Sequence, residues 1–243
     1  MPDASDFVLA SCQATLFTPV AEVSSVRLLA KLLPDWVDRF DADPTVLPLP
    51  EAVPKEVPRL MLRSRSEEWK CEIASGRMSV IWQRTTRAHE PASLVERYGM
   101  LIPLLAQYSA ALESRVGRLA AAISRYLEHG SPARFLASHF CNDQWLQGLL
   151  NRPDDFELHA HKVFLLGGRF QVNSWVRNKT GLLNLPGEEA QKPIVLAEQD
   201  FNTLAEEQAT RNFEADEIGA FFRAAAVGFD ETLRLYYPFD ARV

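Results

Sequence analysis

SRVGRLAAAISRYLEH, residues 114–129, is the stretch whose reading decides the fold. Its Ala120-Ala121-Ala122 favours helix by intrinsic propensity, while its place after a complete helical segment and before Gly130 and Ser131-Pro132 suits helix or strand. Read as a strand, it opens a second round of the pattern carried by residues 7–113: strand, helix, hairpin strands, long helix. Residues 7–113 and 114–238 then form two pseudo-repeat halves of one domain spanning residues 1–243, a topological expectation with no residue-level repeat behind it.

Downstream of the stretch, Ser131 reads as the N-cap of a short helix through Phe140. Residues 156–166 and 170–176 make a hairpin around Gly167-Gly168, and residues 193–202 hold a short buried strand, Ile194 to Ala197. The last long segment, residues 212–237, carries Ile218, Phe221, Phe222, Ala225, Phe229, Leu233 and Tyr236 at helical spacing, with Glu214, Asp216 and Glu217 suited to its N-terminus and Pro238 ending it.

Upstream, Ser93-Leu94-Val95-Glu96 is a capping-box pattern, and Tyr98, Leu101, Ile102, Leu105, Tyr108 and Leu112 form a stripe behind it, with Pro103 expected to kink the helix. Trp69, Cys71 and Ile73, then Met78, Val80 and Trp82, alternate with polar neighbours on either side of Ser75-Gly76, which reads as a hairpin with one apolar face. Five prolines between Asp41 and Pro58 exclude regular structure there and leave an extended connection or wrapping arm. Thr18-Pro19 resembles an N-cap and first helical position, with Val23, Val26, Leu29, Leu33 and Val37 on the apolar side of the following helix. Residues 7–17 read as a buried strand. The expected class is α+β, a curved antiparallel sheet packed on two long helices that cover one face and leave the other available.

Hydrophobic residues at 47% and charged residues at 24% exclude disordered and fibrous classes. The longest apolar runs fall short of the roughly 20 residues needed to span a bilayer, and the N-terminal sequence shows no signal-peptide pattern, so a cytoplasmic location is expected. Cys12, Cys71 and Cys141 are too few and too scattered for a disulfide framework or CxxC metal sites. From Arg59 to Arg134 there are 12 basic and 7 acidic residues, a balance of +5; from Glu188 to Val243 there are 5 and 12, a balance of −7. Such a split is either two solvated faces or a positive sheet surface offered to an anionic partner.

Candidate chemistry is sparse. His159-Ala160-His161 on a strand places two imidazoles on one face about 7 Å apart, and Asp154 or Glu157 would be the third ligand of an open metal site; otherwise this is a solvated strand surface. His139, Cys141 and Asp143 have the residue types of a thiol nucleophile, base and orienter, but adjacent residues on a helix diverge, and a small buried cysteine is the simpler reading. Asp200 lies where a buried strand is expected to end, with Arg118 or Arg125 as conceivable partners. No GxxxxGK[ST], GxGxxG or GxSxG occurs. Trp82 belongs with Met78 and Val80 in the core. Trp175 alternates against Phe170, Val172 and Ser174, so it is either an exposed interface anchor beside Arg177 or is covered by the proline-rich segment.

Residues 58–64 (PRLMLRS), Trp69, Arg77-Met78-Ser79-Val80, Tyr98, Val116-Gly117-Arg118-Leu119, Arg125-Tyr126, and Ala197 to Asn202 before a final aromatic helix together carry a likeness over nearly the whole chain. On these residues the chain resembles a sporadically distributed prokaryotic family of roughly this length with no established activity. The resemblance implies a strand rather than a helix at residues 114–129. It brings no catalytic residues or cofactors. Its patchy distribution implies genes of mobile or defence-associated islands.

The expectation is therefore a non-enzymatic cytoplasmic binding protein, a subunit or regulator in a mobile or phage-defence-type system, using Trp175, Arg177, Arg63, Arg65, Lys70 and Arg84 against a protein partner. A nucleic-acid-binding module would instead use the basic 59–87 meander, including Arg59, Arg63, Arg65, Lys70, Arg77 and Arg84. A metal-dependent hydrolase would need His159 and His161. A small-ligand pocket under the last helix would be lined by Phe221, Phe222 and Phe229.

Overall fold

The structure, a computed structural model, describes residues 2–19, 24–48, 54, 56–87, 93–112, 114–187 and 190–239. Among these residues nine strands form one open sheet: β1 (Val8–Phe17), β2 (Thr45–Val46), β3 (Leu60–Arg63), β4 (Trp69–Ala74), β5 (Arg77–Gln83), β6 (Arg118–Glu128), β7 (Glu157–Leu166), β8 (Phe170–Leu183) and β9 (Lys192–Thr203). Their order is β2-β3-β4-β5-β1-β6-β9-β8-β7, with every pairing antiparallel. Among the described residues, five α-helices accompany the sheet: α1 (Ser25–Trp36), α2 (Leu94–Ala111), α3 (Pro132–Phe140), α4 (Asp143–Gln147) and α5 (Ala215–Tyr236). The protein is α+β. Among the described residues, no helix is long and apolar enough to cross a membrane.

The deciding stretch is a strand. Residues 118–128 pair with β1 on one side and β9 on the other, so both edges of its backbone are hydrogen-bonded within the sheet. Two ladders outweigh a helix preference that amounts to less than about 1 kcal/mol per residue. Leu119, Ala121, Ile123 and Arg125 are buried, while Arg118, Ala120, Ala122 and Ser124 are half-buried between them, the alternation of a sheet with one packed face.

The packed face joins Cys12, Ala14 and Leu16 of β1, Met78, Val80 and Trp82 of β5, and Leu119, Ala121 and Ile123 of β6 to the helices in one core. On α5, Phe221, Phe222 and Phe229 are fully buried, and Phe229 stacks on Phe201 of β9 with centroids 4.2 Å apart. The absence of a side chain at Gly228 allows this approach. A Cβ there would come within 2.9 Å of Leu166 and 3.1 Å of Phe201. Arg125 is only 5% exposed; its guanidinium donates to Gln199 at 2.8 Å, to the Phe229 carbonyl at 3.4 Å and to Asp230, which ties β6 to α5. On α2, the Tyr98 hydroxyl lies 3.2 Å from the carbonyl oxygens of both Gln13 and Ala122, at the seam of β1 and β6.

Several local expectations are corrected. The N-cap of α1 is Ser24, whose side chain accepts from the Arg27 amide, and not Thr18. With the start moved, Leu28, Leu32 and Trp36 face the core, whereas Val26 and Val37 are 69% and 49% exposed. Val23 lies outside the described residues, as does Pro50 of the proline-rich connection. That connection contains a short strand, because Thr45 and Val46 pair with Met61 and Leu60. The capping box at Ser93 and Glu96 forms as read, and Pro103 lies inside α2 without ending it. At the end of α5, Tyr236 is only half-buried. Tyr237 is fully buried instead, its hydroxyl donating to Asn178 at 2.9 Å.

Candidate functional site on the open sheet face

The face opposite the core is built by the other half of each alternation. Strand register sets its side chains in rows that cross the sheet. The central row reads Ile81, Gln13, Ala122, Asp200, Trp175, His161 across β5, β1, β6, β9, β8 and β7. One flanking row reads Ser11, Ser124, Glu198, Arg177, His159, and the other Thr15, Ala120, Asn202, Asn173. Ala120, Ala122 and Ser124 are short, so the middle of the sheet is low between Ile81 and Trp175. The result is a depression of about 470 Å³ lined by strand residues alone, among them Ser11, Gln13, Ile81, Trp175, Arg177 and Asp200.

Charge along its rim is largely compensated. Glu198 accepts Lys179 at 3.0 Å and Arg177 at 3.4 Å; Arg177 also lies 3.7 Å from Glu157, which pairs with His159 at 2.6 Å. The His159 hydrogen bond leads the contributions that hold the Glu157 carboxyl below its ordinary range. Asp200 differs. Its side-chain hydrogen bond comes from the Asn202 amide, and among the described residues no cation pairs with it. Burial pushes its carboxyl up to about 6, outweighing the attraction of Arg118 and the Asn202 hydrogen bond.

Trp175 is 46% exposed and stands on this face, as its alternation requires. The two histidines share the face as expected, but each has different company, one from β7 itself and the other from β8. His159 engages Glu157, whereas His161 stacks on Trp175 and has its Nε2 3.3 Å from Asn173 Oδ1. Among the described residues, no group of three or more His, Cys, Asp and Glu is arranged to hold a metal ion.

The basic residues of the 59–87 meander do not gather into one stripe. Arg63 and Arg65 are exposed, Lys70 is paired with Glu72, and Arg87 with Glu128. Arg84 is turned inward, with its Nε donating to the Leu9 carbonyl at 2.8 Å and its guanidinium 6.0 Å from the Trp82 ring. Arg59 and Arg77 are half-buried. Elsewhere, His139 lies 2.7 Å from the Tyr236 carbonyl and stacks on Tyr237, while Cys141 is half-buried just beyond α3, so His139 is held against the end of α5. Phe221, Phe222 and Phe229 are fully buried, Phe221 packing edge-on against Phe222 and Phe170, so these three rings belong to the core.

Sequence reasoning placed Trp175 and Arg177 on this face but took Asp200 for a strand end. β9 continues through Thr203, and Arg125 points to the opposite face. No protein-family model matches the chain, and no curated protein matches it either.

Proposed function

We propose that the chain is a binding protein that docks a partner protein on the open face of its sheet, with the depression beside Trp175 as the anchor point. The observation that carries this reading is the depression itself: it is lined by strand residues alone and presents a half-exposed tryptophan next to a partly buried carboxylate. A rigid, partly desolvated aromatic ringed by polar groups is the pattern of an interface hot spot. A protein partner is favoured over nucleic acid because Lys70 and Arg87 are internally paired, Arg84 is turned inward, and the depression carries Glu198 and Asp200. The protein serves as a subunit or regulator within a cytoplasmic assembly of the mobile or defence type that the family resemblance implies.

The two-round reading of the chain belongs to the same proposal. Outward from the central β1 and β6 pair, the order is β5, β4, β3 on one side and β9, β8, β7 on the other, and each meander is followed by its long helix, α2 or α5. Pairing of the two first strands would then bring the open faces of both halves into one surface.

A photo-crosslinking side chain at Asn173, on the open face, and another at Val227, on the helix side, test the docking reading in cells making the protein at native level. A discrete protein adduct from position 173 and none from 227 is expected, with the adduct lost on Trp175→Ala. Adducts from 227 alone, or a nuclease-sensitive adduct at 173, would contradict it.

A further inference from the structure

We infer that the depression is a receptor for one cationic side chain, an ammonium or guanidinium group presented by the partner protein. This deepens the docking proposal and rests on it.

Three features converge on that chemistry. Asp200 is the carboxylate in the central row without a cation partner among the described residues, whereas its neighbour Glu198 is already held by Lys179 and Arg177. Trp175 follows Asp200 directly in that row, and His161 covers one of its ring faces, so the other borders the depression on the Asp200 side. A ring face beside a carboxylate attracts a cation through both the quadrupole and the charge. Beneath them Ala122 leaves room, and Gln13, Ser11 and Ser124 supply oxygens that accept hydrogen bonds from N–H donors.

Other guests fit worse. An anion would meet Asp200 and Glu198. An apolar side chain would strip the remaining water from Asp200 and offer nothing in return. A cation gives the buried carboxylate the partner it lacks. The charged and titratable groups around Asp200 are Arg118 from β6, Arg177 from β8, His161 from β7, Glu198 from its own strand and, from α2 on the core side of the sheet, the Tyr98 hydroxyl, which stays neutral because burial and the nearby Asp200 charge both raise it; β1 contributes the neutral Gln13. Burial that raises the Asp200 carboxyl is the condition that a bound cation relieves, so binding weakens as pH falls through about 6.

The test uses the intact chain labelled with nitrogen-15 and four small probes: the blocked amides of lysine, arginine, side-chain-acetylated lysine and glutamate. The indole N–H signal of Trp175, identified by its loss in Trp175→Phe, is followed during each titration. Saturable shifts are expected with the lysine and arginine amides, at least tenfold weaker with acetyl-lysine and glutamate. Asp200→Asn should abolish the preference while leaving the rest of the spectrum folded, and Ala122→Phe should block all four probes. Equal shifts with all probes, no shift with any, or an unchanged preference in Asp200→Asn would overturn the inference. Crosslinking from Asn173 that persists in Asp200→Asn overturns the cation receptor while leaving the docking face standing; absence of that crosslink in the unaltered protein overturns the face itself.

Discussion

The indole of Trp175 rests on the imidazole of His161, with ring centroids 4.4 Å apart and planes 29° from parallel. The contact spans β8 and the edge strand β7, and the His161 Nε2 lies within 3.3 Å of Asn173 Oδ1. The edge strand therefore braces the one large aromatic bordering the depression.

His161→Ala removes the brace without opening the core. Aromatic pairs contribute about 0.5–1.5 kcal/mol beyond their area, so thermal unfolding should change little while partner affinity drops by roughly threefold to tenfold. A melting comparison and a titration with the crosslinked partner check both halves. A large loss of stability with unchanged affinity would make His161 a structural residue only.

Asp200→Asn should stabilise the fold while weakening binding. The folded state raises this carboxyl from 3.8 to about 6, so between those values the native protein holds more proton than the unfolded chain. Stability contributed by this group is therefore present at low pH and falls as pH rises through that window, with the full penalty above it. Two pKa units correspond to about 2.7 kcal/mol, an upper bound for a group that keeps some solvent contact. Denaturant unfolding at pH 7.5 should show the variant more stable by about 1–2 kcal/mol, with the gap closing toward pH 4. A destabilised variant at pH 7.5 would show that Asp200 serves the fold.

Arg125→Ala should do the opposite. It removes the donor to Gln199, the Phe229 carbonyl and Asp230 at a position only 5% exposed, and it leaves a hole under α5. A loss of about 2–4 kcal/mol is expected, measured by urea unfolding.

Gly117→Ala is expected to be costly for a different reason. A Cβ at that position would lie 2.2 Å from the Gln208 carbonyl oxygen, a backbone atom with little freedom to yield. Overpacking of this kind costs about 1–3 kcal/mol or more, and calorimetry should show a clearly lowered melting temperature.

Much of this architecture is legible in the chain because it rests on local periodicity. The stripes of α2 and α5 apart from Ile102 and Tyr236, the Ser93 and Glu96 box, and the alternation that keeps Trp82 inside and Trp175 outside survive translation into three dimensions. Residues 118–128 resisted propensity because their partners in β1 and β9 are far off along the chain, from 66 residues for Glu128 and Ile194 to 118 for Val8 and Tyr126, and no local term reports pairing at that range. For α1 the error came from Pro19. A proline that looked like a first helical residue drew the stripe off register, although the true cap at Ser24 was equally polar.

The candidate site was only half legible. Trp175 and Arg177 follow from alternation in one strand, but the role of Asp200 depends on neighbours in four others. Ala120 and Ala122 looked like helix formers; as outward residues of a central strand they keep the middle of the sheet low, and Ala122 lines the depression. His159 and His161 share a face as their spacing dictates, yet Glu157 and the side chains of β8 direct them to separate partners.

The most direct measurement is the affinity of the purified, crosslink-identified partner for Trp175→Ala and Leu235→Ala, two exposed side chains on opposite layers of the molecule. Truncating a hot-spot tryptophan costs at least about 2 kcal/mol, so Trp175→Ala should bind roughly 30-fold more weakly or worse while Leu235→Ala binds as the unaltered protein does. Unchanged affinity for Trp175→Ala together with a loss for Leu235→Ala would place the interface on the helix layer and contradict docking on the open sheet face.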